Sequence, residues 1–309
     1  MGDHVLVIGA TLMDTKGKPV AGLEPNTSNP AHIRHTRGGT ARNVAENLSL
    51  LGAEVLLISA VGDDDAGRQL TTQTAAAGVN IDHMVISSEH NTGSYIALLN
   101  EEGTLSVAVD DVRVMGAITA GLLYRQRSLF RDACLIMVDG SLSEAALETV
   151  VRMATQFEVP LVADPSSTRL AKKLRNHLNR LHLVVPNEVE AAALTGIDFG
   201  GYDPDASLEV ALTLTRLGVH TAIVTLSDFG LVYATSDETG YIPARYRQMV
   251  DSTGTGDAVT AATVFGLIND LPTIESIRLG AAAASLTLQT GQTVVPDLSL
   301  DMLYDHLIV

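Results

Sequence analysis

Tryptophan is absent from this 309-residue chain, and the three aromatic types together make up only 4% of it. A surface that stacks on unpaired bases needs aromatic rings, so the scarcity argues against a single-stranded nucleic-acid binder. Positive charge is short as well: 20 Lys and Arg face 36 Asp and Glu, a formal net charge of −16. Contacts with a nucleic-acid polymer or an anionic membrane need a basic excess, and neither partner is expected. A mononucleotide remains open, because a glycine loop and a metal ion can outweigh the global field locally. The single cysteine, Cys134 in "ACLIMVDG", cannot form an internal disulfide and fits a reducing compartment. No apolar run approaches the ~20 residues of a membrane span. "MGDHVLVIGA" enters a strand too early for a secretory leader, so a cytoplasmic protein is expected. The nine His show no zinc spacing, and neither G-x-x-x-x-G-K-[ST] nor a G-x-G-x-x-G after the first strand occurs.

What is present is a regular alternation. "HVLVIG" (4–9), "EVLLISAVG" (54–62), "CLIMVDG" (134–140), "VPLVAD" (159–164), "LHLVVPN" (181–187) and "TAIVTLS" (221–227) are near-continuous apolar runs, as expected of strands covered on both faces. Helical patterns lie between and after them, at 40–51, 65–77, 143–156, 187–195, 205–217, 257–268 and 273–290. The expectation is one α/β domain over 1–309, a doubly wound, mostly parallel sheet with helices on both faces. Two segments break the rhythm. Residues 15–37 are polar and rich in Pro and Gly, and 92–110 read as two alternating strands joined through "NEEG". Together they are expected to form a small sheet beside the main one, a lid or a dimer contact.

Four stretches can carry chemistry. "DSTGTGDA" (251–258) sets Gly254, Thr255 and Gly256 before an apolar helix, where successive N–H groups and the helix dipole suit an anion. Asp257 at that entrance admits two readings, a helix N-cap or a base that takes a proton from an alcohol. "RGGTARNVAENLSLLG" puts Gly38 and Gly39 before a helix with Asn43 in its first turn, either a plain turn or a place where a polyol approaches the backbone. "GATLMD" brings Asp14 to the carboxyl edge of the sheet, where open α/β folds bind ligands. "PNEVEAAALTG" sets Asn187 and Glu190 on one helix face, as a solvated helix start or a metal shell.

Taken in order, these stretches resemble the ribokinase-like (PfkB-type) carbohydrate and nucleoside kinases over nearly the whole chain. The resemblance implies ATP-dependent phosphorylation of a sugar hydroxyl. It makes Asp257 the base and the 254–256 amides the anion hole. Asn187 and Glu190 would order Mg2+-ATP through water, Thr225 and Gly230 would lie beside the nucleotide, and Asp14, Gly39 and Asn43 would grip the sugar. It also implies that Asp251 and Thr253 help hold a monovalent cation such as K+ through their carbonyls. Ser227 stands where the family usually has Gly, and a negative φ would accommodate it. "NPAHIRHTRGG", "NTGSYIALLNEEGTLSVAVDDV" and Asp139 in "MVDGSLS" are most similar to the branch that phosphorylates the 5′-hydroxyl of the C-nucleoside pseudouridine. On that resemblance Thr92 and Ser94 are expected at the base or ribose edge. The apolar lid residues Ile96, Leu98, Val107 and Val109 are expected to pair with a second copy in a homodimer.

Overall fold

The computed structural model describes residues 2–100, 105–197, 203–244 and 251–307. The chain opens with β1 (His4–Ile8), in which Val5 and Val7 face one apolar core while Leu6 and Ile8 face another. That period of two is why the run has no polar gap: both faces are covered. β2 (Leu12–Pro19) and β3 (Ala31–Gly38) follow, then α1 (Thr40–Leu50). The expected strand 54–62 divides at Ser59 into β4 (Val55–Ile58) and β5 (Ala60–Gly62). Next come α2 (Asp65–Ala76), β6 (Val85–Ser87) and the hairpin strands β7 (Gly93–Leu99) and β8 (Leu105–Asp111). Most of the expected "NEEG" turn lies outside the described residues.

The second half alternates as expected. It runs α3 (Ala120–Arg125), α4 (Arg127–Arg131), β9 (Ala133–Asp139), α5 (Glu144–Phe157), β10 (Leu161–Asp164), α6 (Thr168–Leu174), β11 (Leu183–Val184), α7 (Glu188–Thr195), α8 (Pro204–Arg216) and β12 (Thr221–Thr225). Two strands that the apolar pattern did not suggest, β13 (Gly230–Ala234) and β14 (Thr239–Pro243), return antiparallel and close one edge of the sheet. The chain then forms α9 (Thr255–Ile268), α10 (Thr273–Leu288) and α11 (Leu300–Asp305).

The large sheet has the order β14-β13-β12-β11-β10-β9-β1-β4, parallel from β12 to β4. The chain leaves β1 toward β4 and later returns to β9 on its other side. A crevice therefore opens past the carboxyl ends of β1 and β9, the ligand position of such folds. Helix α9 is apolar all round, with ten of its residues from Thr255 to Gly266 buried, so it lies inside the protein rather than on it. Small residues let α10 approach closely: a side chain on Gly280 would meet Thr263 Oγ1. This packing fixes where the N-terminus of α9 points.

A four-stranded sheet, β3-β2-β7-β8, forms from the two segments that broke the rhythm. Its residue pairs align Thr36, Asp14, Tyr95 and Asp110 in one cross-strand row on a single face. Ile96, Leu98, Val107 and Val109 lie on the other face and are exposed, together with Ile33 and Leu105.

Candidate active site

A cleft of about 690 Å³ lies between the lid sheet and the carboxyl edge of the large sheet. At its floor Asp139 ends β9, fully buried. Its Oδ2 accepts from the N–H groups of Ala10 at 2.7 Å and Ala41 at 3.2 Å, and Oδ1 accepts from the Ser141 N–H at 2.8 Å and the Ser141 hydroxyl. Asp139 thus pins the end of β1 and the start of α1 to β9. Asp139 lines the cleft, but the lone pairs of its carboxylate are already taken by the protein. The paired glycines serve the protein likewise. Gly38 leaves room for the Asp14 carboxyl, and Gly39, at φ 92, packs on the Ala10 carbonyl.

Asp14 lies on β2 rather than at the end of β1, and reaches the cleft from the lid. Burial pushes its carboxyl up to about 7, with Lys16 and Arg42 opposing. Tyr95 and Asp110, beside it in the same row, also line the cleft. Thr92 and Ser94 do not. Thr92 is tied to the N-terminus of α2: its N–H and hydroxyl donate to the Asp64 carboxylate at 2.8 and 2.5 Å. Ser94 shares the outward phase of Ile96 and Leu98, because side chains alternate from Gly93 onward.

The N-terminus of α9 points into this cleft. Gly254 occupies the cap position at φ 83, where a side chain would sit 2.1 Å from the Thr293 carbonyl. Asp257 is therefore in the first helical turn and is not the cap. The Thr255 N–H turns back to the Ser252 carbonyl at 3.3 Å. The N–H groups of Gly256 and Asp257 meet no acceptor among the described residues, which leaves them for an anion. Asn43 Nδ2 donates to Asp257 Oδ2 at 2.5 Å. The Asn43 amide oxygen accepts from Arg42, a fully buried guanidinium that also donates to Glu46 and to the Gly38 carbonyl. Burial lowers Arg42 to about 10 and raises Asp257 to about 6. Asn43 thus holds the carboxylate, a contact that its place in the first turn of α1 did not announce.

Past Asp257 the cleft continues into a groove of about 390 Å³ lined by Asn187, Glu190, Thr225, Ser227, Thr255 and Gly256. Asn187 caps α7 in a capping box: its Oδ1 accepts from the Glu190 N–H, and Glu190 Oε2 accepts from the Asn187 N–H, both at 2.9 Å. Glu190 is buried rather than solvated, and burial pushes it up to about 7. The Asp164 carboxyl, at the end of β10, is raised by burial and by the charges of Asp257 and Glu190. Sequence reasoning missed it, although an acid closing a buried parallel strand was a usable signal. An apolar slot beyond the groove is lined by Gly230, Leu231, Pro243, Val259, Ala281 and Leu288, with Thr225 at its mouth. Ser227 lies there at φ 53, so the position does use the left-handed backbone that favours glycine, against the expected negative φ. Asp251 and Thr253 lie at the loop before Gly254, where their side chains are engaged by Lys16.

Sheet order, lid and crevice define a ribokinase-like fold, and the chain belongs to the pfkB family of carbohydrate kinases, whose pattern matches residues 3–299. It is a phosphotransferase with an alcohol acceptor, a sugar or nucleoside kinase. It is 35% identical to the pseudouridine kinase of Escherichia coli K12 over 299 residues, 96% of this chain and 94% of that one. It is 28% identical to the guanosine-inosine kinase of Exiguobacterium acetylicum, over 96% and 98% of the two chains. The structure of Arabidopsis thaliana ribokinase with ribose and ATP superimposes with a TM-score of 0.83, at 20% identity and full coverage of both chains.

Two glycine substitutions separate the fold from the anion pocket. Gly254→Ala forces an L-residue to φ 83 against a carbonyl, costing roughly 1–3 kcal/mol of stability. A side chain on Gly256 meets nothing within 4 Å, so Gly256→Ala keeps the melting temperature while its methyl enters the groove and lowers turnover. Equal melting temperatures for the two variants, or full activity of Gly256→Ala, would count against this geometry.

Proposed function

We propose that this protein transfers the γ-phosphoryl group of ATP to the 5′-hydroxyl of pseudouridine. One observation carries the kinase geometry: Asp257 lines both the cleft under the lid and the groove beyond it. A hydroxyl arriving from one side and a phosphoryl group from the other meet at its carboxylate. Thr255 Oγ1 supports a polar ligand in the groove, since it is buried there with no partner among the described residues.

The chemistry asked of the chain is positioning and charge neutralisation, because the transition state of phosphoryl transfer is loose. In this account Asp257 accepts the alcohol proton late, as the new P–O bond forms. The N–H groups of Gly256 and Asp257 and the dipole of α9 neutralise charge on the transferred group. Glu190 and Asn187 fit an outer shell for Mg2+. Among the described residues no cluster of three His, Cys, Asp or Glu could hold a metal alone, which suits an ion bound largely by phosphates and water. When bound, that ion neutralises phosphate charge and relieves the crowding of Asp164, Glu190 and Asp257.

Asp14 is proposed to hold the ribose, and Tyr95 and Asp110 the base. Pseudouridine carries a free N1–H where uridine carries its sugar, and a lid carboxylate is an acceptor for it. The likeness to the E. coli pseudouridine kinase supports this choice over other nucleosides. The exposed apolar face of the lid supports a homodimer in which two lids pack together.

Asp257→Asn is expected to keep nucleoside and ATP affinity within a few-fold and to lower kcat by roughly 10²–10⁴. Normal turnover of that variant would end its role as base. ADP release is the readout for specificity, with pseudouridine, uridine, ribose, guanosine and inosine as acceptors. Pseudouridine is expected to lead in kcat/KM by at least about tenfold. A better result with any other acceptor would reject the pseudouridine assignment and keep the kinase.

A further inference from the structure

Lys16 is a cation for which the kinase account has so far no use. It lies on β2 two residues past Asp14, on the same side of the lid sheet. Its side chain is only 8% exposed, and an ammonium survives such burial only among acceptors. Three surround it. Nζ donates to Asp251 Oδ1 and Oδ2 at 2.8 and 2.6 Å, and to Thr253 Oγ1. An ammonium has three N–H donors, so its capacity is filled.

Its partners form the turn that leads into α9. The Thr253 N–H donates to Asp251 Oδ1 at 2.9 Å, and Arg34 Nη2 donates to Oδ2 at 3.1 Å and to the Gly291 carbonyl. Burial alone would raise the Asp251 carboxyl, but the bonds from Lys16 and from the Thr253 N–H outweigh it and hold it below its ordinary value. Gly254 follows Thr253 directly. The turn that presents the Gly256 and Asp257 N–H groups is thus braced by a positive charge attached to the lid.

A monovalent ion on the carbonyls of Asp251 and Thr253 is what the family resemblance implies, and the side chains of the same two residues already hold a cation. We propose that the Lys16 ammonium takes the place of a monovalent metal ion at this turn. It braces the turn from β2, the strand that also carries Asp14, and makes catalysis indifferent to K+. Lys16 acts through the loop, so it is a positioning residue rather than a catalytic one. Its activity readout rests on the kinase assignment, whereas its thermal readout does not.

The test compares potassium, ammonium and choline chlorides at equal ionic strength. Wild-type kcat and melting temperature are expected to agree across the three salts within about twofold and within experimental error. Lys16→Met in choline is expected to lose about tenfold or more in kcat, since a misplaced anion site is costly. K+ or NH4+, similar in size to the lost ammonium, should restore most of that loss and raise the variant's melting temperature. Activation of the wild type by K+ would overturn the proposal without any variant being made. So would a Lys16→Met protein that is fully active in choline, or a folded one that neither cation rescues in rate or melting temperature. A wild type inactive on every acceptor would count against the kinase assignment, and the melting temperatures would still decide the role of Lys16.

Discussion

The Asn43 amide has one orientation open to it. Arg42 donates to its oxygen, so its NH2 must face Asp257. Arg42 is fixed in turn by Glu46 one helical turn on and by the Gly38 carbonyl, with no exposed surface of its own. This chain of charge and hydrogen bond, Glu46 to Arg42 to Asn43 to Asp257, joins α1 to α9 across the crevice. It places a carboxylate in the first turn of an apolar helix without letting it cap that helix. The helix N–H groups stay available to an anion, and the carboxylate stays aimed at the cleft.

The same region holds more negative charge than it can hydrate. Asp14, Asp164, Glu190 and Asp257 are all pushed above the usual carboxylate range, chiefly by burial. Repelling carboxylates of this kind destabilise an empty site and favour whatever brings positive charge or accepts their protons. In the proposed reaction Mg2+ meets the need on the nucleotide side. On the lid side a lysine at Asp251 meets it permanently. The lid is therefore more than a cover, because one face of its sheet aligns Asp14, Tyr95 and Asp110 while Lys16 reaches the turn before α9.

The doubly wound core was legible because burial on both faces leaves an uninterrupted apolar run, as in "HVLVI" and "ACLIMV". β13 and β14 were not: the apolar run of β13 is short, Leu231 to Ala234, and the edge strand β14 buries only Ile242. The spacing of Asn187 and Glu190 placed them together at a helix start, because a capping box is local, but it did not show that Glu190 is buried. Lys16, Arg42 and Asp164 were missed for the opposite reason: Lys16 meets an acid 235 positions away, and Asp164 is read only against Thr260 and Asp257. Ser94 lies off the cleft because of its phase, and Thr92 because it is tied to Asp64 before the strand begins. The strand begins at Gly93, so Tyr95 faces the cleft and Ser94 faces out. Ser227 takes up a left-handed backbone with no sign of it in the sequence, since the residue there is not glycine.

The central claim is that Asp257, held by Asn43 and short of water, is the group that takes the proton. Its ionisation near 6 must then appear in the reaction. A base with a raised pKa works in its deprotonated form, so its contribution is full above that value and falls as pH drops through it. The pH profile of kcat/KM, which reports the essential groups of the free enzyme, is the most direct measurement. The account predicts an acid limb that starts near 7, where Asp14 and Glu190 take up protons, and steepens through the Asp257 value near 6. A profile flat down to about pH 4, the range of an ordinary aspartate, would contradict it.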